Sequence, residues 1–203
     1  EGGFKAGKFQ YYDEMLEGMR PFINGDINLA NLETAVTVRG TPLDKPFVFR
    51  MPAEALDATI DAGFNLFGLA NNHGGDYSSR GVLDTIANFA AVEPSDRVHW
   101  AGAGTTLAEA AAPVVFEVAG MKIAFASCGI GYDVRSFAAG TAHVRDVDTV
   151  IAALKAADAD LRIIAIHDGT ELALQPTARV LAAARKATEA GIDLVHGHHP
   201  HVV

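Results

Sequence analysis

Gly191-Ile192-Asp193-Leu194-Val195-His196-Gly197-His198-His199-Pro200-His201 is a short apolar run that passes directly into a cluster of imidazoles. Ile192 to Val195 reads as the last strand of the chain, and the stretch Pro176 to Ala190 before it as a helix with proline at its start. Imidazoles this close together are hard to bury without a partner. A divalent cation is the usual partner, because neutral imidazole is the commonest metal-ligating side chain. If His199 and His201 are ligands, the ends of other strands should supply more donors.

Three other apolar runs end in the same way. Asp26 to Leu32 alternates polar and apolar residues, carries Asn31, and stops near Glu33. Phe64 to Ala70 reads as a buried strand that runs into Asn71-Asn72-His73, and Leu161 to Ile166 as another that runs into His167-Asp168-Gly169. Strands alternating with helices imply an α/β sheet, and ligands of such sheets bind outside the carboxyl ends of the strands. Mixed nitrogen and oxygen donors suit Zn, Mn or Fe better than Ca or Mg, and there are enough of them for two ions. Each group also has a plain structural reading. Asn71-Asn72 suits a turn, because asparagine tolerates the left-handed region. His167 alone would suit a satisfied core position, and Glu33 alone a cap or a surface pair. Arg50 and Arg80 read more readily as surface charges. His99 and His143 lack polar company and read as structural, and Cys128 reads as a buried small hydrophobe.

The remaining stretches fill in the architecture. Glu1 to Lys8 is a glycine-rich loop, and Tyr12 to Phe22 carries Met15, Leu16, Met19 and Phe22 at helical spacing. Thr37 to Pro52 is a long connection with Phe47-Val48-Phe49 as an edge strand, followed by a helix from Ala53 to Ala62 stopped by Gly63. Ser78 or Ser79 is placed to cap a helix whose apolar face is Val82, Leu83, Ile86 and Phe89. Val98 to Ala101 is a short strand, Pro113–Val118 and Met121–Ser127 form a β-hairpin about Ala119-Gly120, and Val147 to Ala157 is a helix. Gly129 to Thr141 has no clear period. With 203 residues, 49% hydrophobic and 20% charged, the chain suits one domain with a mixed sheet or two sheets. A net charge of -9 argues against nucleic acid as a partner, and one cysteine excludes an internal disulfide framework. No apolar run approaches the roughly 18 residues of a membrane-spanning helix.

The order Asn31-Leu32-Glu33-Thr34, Lys45-Pro46-Phe47, Ala70-Asn71-Asn72-His73, Asp76-Tyr77 and Gly81-Val82-Leu83-Asp84-Thr85 resembles the CapA family of poly-γ-glutamate capsule biosynthesis proteins. The likeness continues through Gly102-Ala103-Gly104, Glu109-Ala110, His167, Gly169, Glu171 and Pro176, and closes on Gly197-His198-His199-Pro200-His201. The family is similar to the calcineurin-like metallophosphoesterases, which implies a sandwich of two mixed β-sheets flanked by helices (αββα). Carried over, the resemblance implies Glu33, Asn72, His167, His199 and His201 as ligands of a divalent metal, two ions of Mn, Fe or Zn. It implies His73 as the acid or electrostatic stabiliser, and leaves His198 outside the ligand set. Asn31, Asn71, Lys45, Arg50 and Arg80 are the candidate contacts to an anionic substrate. The family opens with a strand ending in a ligating Gly-Asp and continues past His-Pro-His, so residues 1–203 are expected to be a single domain of that type, short of its first and last strands. Asp168 stands where the family usually has tryptophan, and adds a carboxylate beside a ligand.

The function this implies is a metal-dependent hydrolase acting on a capsule polymer or phosphoester. The alternative is a non-catalytic polymer-binding or assembly component of a capsule synthesis membrane complex. The family also implies an extracytoplasmic location, with an anchor or signal in a segment not in this chain.

Overall fold

A computed structural model describes residues 12–202. In its first half the chain forms β1 (Leu29–Asn31), β2 (Ala35–Val36), β3 (Arg50–Met51), α1 (Ala53–Asp61), β4 (Leu66–Gly68), α2 (Ser78–Ala90), β5 (His99–Ala101) and β6 (Ala103–Gly104). The second half forms α3 (Leu107–Ala111), β7 (Val114–Val118), β8 (Met121–Gly129), β9 (Gly140–Thr141), α4 (Val147–Ala156), β10 (Leu161–His167), α5 (Ala178–Glu189) and β11 (Leu194–His198). Two sheets carry the architecture. One has the order β1-β4-β5 and is wholly parallel, and the other has the order β11-β10-β8-β7. Only the β7–β8 hairpin of the second sheet is antiparallel. Two short pairs, β2-β3 and β6-β9, complete the strands.

The period of two along each strand decides which layer a side chain joins. On β8, Ile123 and Phe125 face the other sheet, where they meet Leu66 and Ala101 together with Ile163 and Ala165 of β10. The residues between them, Ala124, Ala126 and Cys128, turn to the outer face with Ile164 and Ile166, where Val150 and Leu154 of α4 and Ala183 and Ala187 of α5 cover them. On β4 the neighbour of Leu66, Phe67, points away from the sandwich and packs on Leu56 and Ile60 of α1 and Val82 and Phe89 of α2. Helices therefore close both outer faces, and the order of layers is αββα. Each fully buried leucine, isoleucine or phenylalanine contributes about 1.5–3 kcal/mol to holding the layers together.

Several elements differ from their sequence expectations. Tyr12 to Phe22 is two 3-10 turns, Asp13–Met15 and Arg20–Phe22, and not one amphipathic helix. Pro21 sits inside the second turn, and Met19 and Phe22 are 50% and 83% exposed, so no packed apolar face pulls the segment into a longer helix. The edge strand is Arg50–Met51, in parallel pairing with Ala35–Val36, and Phe47 to Phe49 precede it as irregular chain. Neither serine caps α2. Ser78 lies at φ 58 and donates to Tyr77 O, while the Ser79 hydroxyl donates to Ala139 O at 3.0 Å. Gly129 to Thr141, unreadable by period, contributes β9. The last strand runs on through His198, so His196 and His198 are strand residues and only His199 and His201 lie beyond it. The loop expected at Glu1 to Lys8 lies outside the described residues.

Candidate metal centre

Four parallel strands, two from each sheet, end at one edge of the sandwich, and their exits meet. After β1 the chain turns at Leu32, whose N–H donates to Gly68 O of β4 at 3.0 Å. Asn71, beyond β4, ties the two exits together: its amide donates to Leu32 O at 2.9 Å and to Asn31 Oδ1 at 3.2 Å, and its Oδ1 accepts from His73 N at 3.1 Å. Across the sandwich, Gly129 at the end of β8 lets the exits approach. A Cβ there would lie 2.4 Å from Ala70 O and 2.9 Å from His167 Cβ, so a side chain would force the two sheets apart.

The side chains brought together are Glu33, Asn72, His167 and His199. His167 Nε2 lies 2.8 Å from Asn72 Oδ1 and 3.6 Å from Glu33 Oε1. The rings of His167 and His199 are 5.0 Å apart, and those of His199 and His201 are 6.2 Å apart. Donor atoms of Glu33, His167 and His199 all lie within 4.8 Å of one another. Asn31 hydrogen-bonds Glu33 Oε2 at 3.1 Å and lines, with Glu33, His199 and His201, a cleft of about 300 Å³.

The chemistry of these donors fits a divalent cation. His167 is fully buried, and its Nδ1 and that of His199 have no hydrogen-bond partner among the described residues. Buried polar atoms are rarely left so without a reason. Burial first, then the neighbouring His199, His198, His201 and His73, push the His167 pKa down to about 3. The ring is therefore neutral at physiological pH, which is the form that ligates metal. His198 is pushed down to about 4 by burial and by His196, whose ring it meets edge-on at 4.2 Å. It stands beside His167 in strand register, outside the group formed with Glu33.

His73 is held from behind. Its Nδ1 pairs with Asp76 Oδ2 at 2.6 Å, and its ring packs on Phe49 at 4.2 Å. The same carboxylate oxygen accepts from Phe49 N at 2.6 Å, and the other forms an ion pair with Lys45. Sequence reasoning passed over Asp76 as a functional group; its signal was the three-residue spacing from His73. An Nδ1–H bonded to a buried carboxylate fixes the tautomer and leaves Nε2 outside that bond.

Asn71, Lys45 and Arg80, three of the candidate substrate contacts, are placed as follows. Asn71 is fully buried with its amide engaged in the loop, so it shapes the site and does not face a ligand. Lys45 is held by Asp76 and donates to Asn72 O at 2.7 Å, behind the loop that presents His73. Arg80 is exposed on α2 with Asp84 as its electrostatic neighbour. Arg50 is better placed. Its guanidinium lies 4.8 Å over the Tyr77 ring and lines, with Glu33, Thr34 and Phe49, a mainly apolar groove of about 290 Å³.

Asp168 does not add a carboxylate to the site. Burial works against its charge, but the Arg179 fork at 2.5 Å to both oxygens and the Gly169 N–H outweigh it, and its pKa is lowered. The carboxylate anchors the loop to α5. His99 stacks on Phe116 at 4.0 Å and His143 Nδ1 accepts from Arg145 N at 3.1 Å, both structural tasks. Burial, then the charges of Asp168 and Asp146, push the Cys128 thiol up to about 12, which removes it as a nucleophile.

Comparison with known proteins adds the following. The family described as "Bacterial capsule synthesis protein PGA_cap" matches residues 4–203. The chain is 28% identical over 210 residues to the capsule biosynthesis protein CapA of Bacillus anthracis, covering 94% of this chain and 49% of that protein. It is 28% identical over 204 residues to the PGA biosynthesis protein CapA of Bacillus subtilis, covering 96% and 51%. A protein of Mycobacterium tuberculosis named as a probable polyglutamine synthesis accessory protein is 30% identical over 193 residues, covering 87% and 50%. The chain thus spans about half the length of the curated relatives it matches.

Proposed function

Because the chain belongs to the bacterial capsule synthesis protein family PGA_cap, we propose that it serves poly-γ-glutamate capsule formation as a metal-dependent hydrolase of a phosphoester or of the polymer. One observation carries this reading: Glu33, Asn72, His167 and His199, from four strand exits, converge, with Asn72 and Glu33 on His167 Nε2 and with the buried Nδ1 atoms of His167 and His199 lacking a partner among the described residues. Glu33, Asn72, His167, His199 and His201 would hold one or two ions of Mn, Fe or Zn. When bound, such ions polarise a phosphoryl or carbonyl oxygen and acidify water.

The chain's own residues do the rest. Asp76 holds the Nδ1 proton of His73, so that Nε2 is the atom that donates a proton to, or stabilises, the leaving group. The cleft beside Asn31 and Glu33 receives the reacting group, and the groove under Arg50 offers an apolar wall and one cation for the adjoining part of an anionic substrate. Lys45 is engaged by Asp76 and Asn72 O, so positive charge at the cleft would come from the bound ions and from Arg50.

Metal content of the intact protein and of His199→Ala tests the ligand assignment; unchanged content in the variant would sink it. Hydrolysis of a generic phosphodiester and of poly-γ-glutamate, with Mn added and with chelator, tests the activity. The word "accessory" in the mycobacterial relative's name favours a second reading, a non-catalytic polymer-handling component of a membrane synthesis complex. Polymer binding with no turnover of either substrate in the metal-loaded protein would select it.

A further inference from the structure

Beyond His167 the chain does not leave the site. Gly169, at φ 142, passes so close to Pro200 that a Cβ would lie 3.0 Å from its ring. Three residues later Leu172 N donates to Pro200 O at 2.8 Å, and Asp168 N, just before, donates to His198 O at 3.3 Å. These bonds fasten the 168–172 loop along the His199-Pro200-His201 turn and set Glu171 beside it. The fastening is maintained against local strain. Leu172, His199 and His201 all have positive φ, at 60°, 95° and 55°, a region that side chains with a Cβ avoid unless the surroundings hold them there. The result is a second convergence: donor atoms of Glu171, His199 and His201 lie within 4.8 Å of one another. His199 is nine-tenths buried, and its Nδ1 has no partner among the described residues.

We propose that Glu171, His199 and His201 form an outer divalent-cation position, distinct from the inner group around Glu33 and His167, with Glu171 as its only carboxylate. Two imidazoles and a carboxylate suit Zn, Mn, Fe or Co. His199 belongs to both triads, and a neutral imidazole offers a single lone pair. With both positions filled, His199 serves the outer ion, and Asn72 completes the inner set with Glu33 and His167. Sequence reading placed Glu171 only in a run of matching residues, because its distance along the chain from His201 hides the contact that Leu172 and Pro200 create.

The inference rests on the metal-dependent reading of the site, and its test separates the two. The metal-stripped intact protein is titrated with Co(II), followed by calorimetry and by visible absorption, for the wild type, Glu171→Gln, His201→Ala and Glu33→Gln. Circular dichroism checks that each is folded; Glu171 and His201 are exposed, so these changes leave the core intact. Two ions are expected in the wild type. Glu171→Gln and His201→Ala each weaken the same one by about 100-fold or more, since losing a ligand costs at least as much as losing a group that only supports one. Glu33→Gln weakens the other. Wild-type titration by Glu171→Gln, alongside an ion still lost in Glu33→Gln, overturns the outer position alone. A wild type that binds no Co(II) overturns the outer position and the metal-dependent reading together.

Discussion

Asp76 is fully buried and carries His73, Phe49 N and Lys45 on two oxygens. Removing it strands a half-buried ammonium and frees the imidazole, so Asp76→Ala should destabilise the protein by about 3 kcal/mol, measured by urea denaturation. A loss below one-third of that would show that the ion pair is not part of the folded framework. His167 makes a prediction of the opposite kind, through protons. Its folded pKa of about 3 lies below the ordinary histidine value of 6.5. Between those values the unfolded chain binds a proton that the folded chain refuses, so stability from this group is complete above pH 6.5 and drains away as pH falls toward 3. Melting temperatures of the metal-free protein should drop across that window, and the drop should shrink in His167→Asn. A profile unchanged by the substitution would remove His167 as its source. Neither prediction could be made from sequence. His167 was visible as a strand-end imidazole, but its company of four other histidines is a product of the fold.

At the scale of elements, the β7–β8 hairpin was readable because its alternation and its Ala119-Gly120 turn agree. Both turn residues have positive φ, 51° and 79°, which glycine accepts and alanine does not. Replacing Ala119 with asparagine, which tolerates that region, should stabilise the protein by up to about 1 kcal/mol with metal binding unchanged, as a thermal melt and a titration would record. A lower melting temperature would contradict the turn geometry. Strands and helices with a strong period were legible to within a residue or two, as in Ala53–Asp61 and Leu161–His167. The failures share a cause. Tyr12 to Phe22 has helical spacing without a surface to pack on, and Phe47 to Phe49 has strand composition without a partner strand beside it. Pattern reports what a segment can bury, and tertiary contact decides whether it does.

For the molecule as a whole, the two sheets contribute equally to the site: β1 and β4 deliver Glu33 and Asn72, while β10 and β11 deliver His167 and His199. A cation bound there links both halves of the sandwich, so metal should stabilise the entire fold and not one loop. At 100-fold excess over the dissociation constant the gain is about 2.7 kcal/mol. It should appear as a single, sharper melting transition with Mn that reverts on chelation. A transition that splits, with only part of the structure responding, would show that the sheets are not coupled through the site. The four strand ends were legible because each apolar run stops at a polar group. The poor supply of free positive charge was not, since Lys45 is diverted by Asp76, a carboxylate from another stretch of the chain. Among the described residues no helix is long and apolar enough to cross a membrane.

The place of β11 in this arrangement has a consequence for how the protein is made. Glu33 emerges early from the ribosome, His167 follows with β10, and His199 comes only after β11, which docks in parallel on β10 beyond the α5 crossover. Parallel pairing across such a crossover is among the slower events of folding. Until it happens, the nascent chain holds two half-sets of donors and no complete one. On the proposed metal-dependent reading, loading would be a late event of maturation, open only to molecules whose β11 is in register.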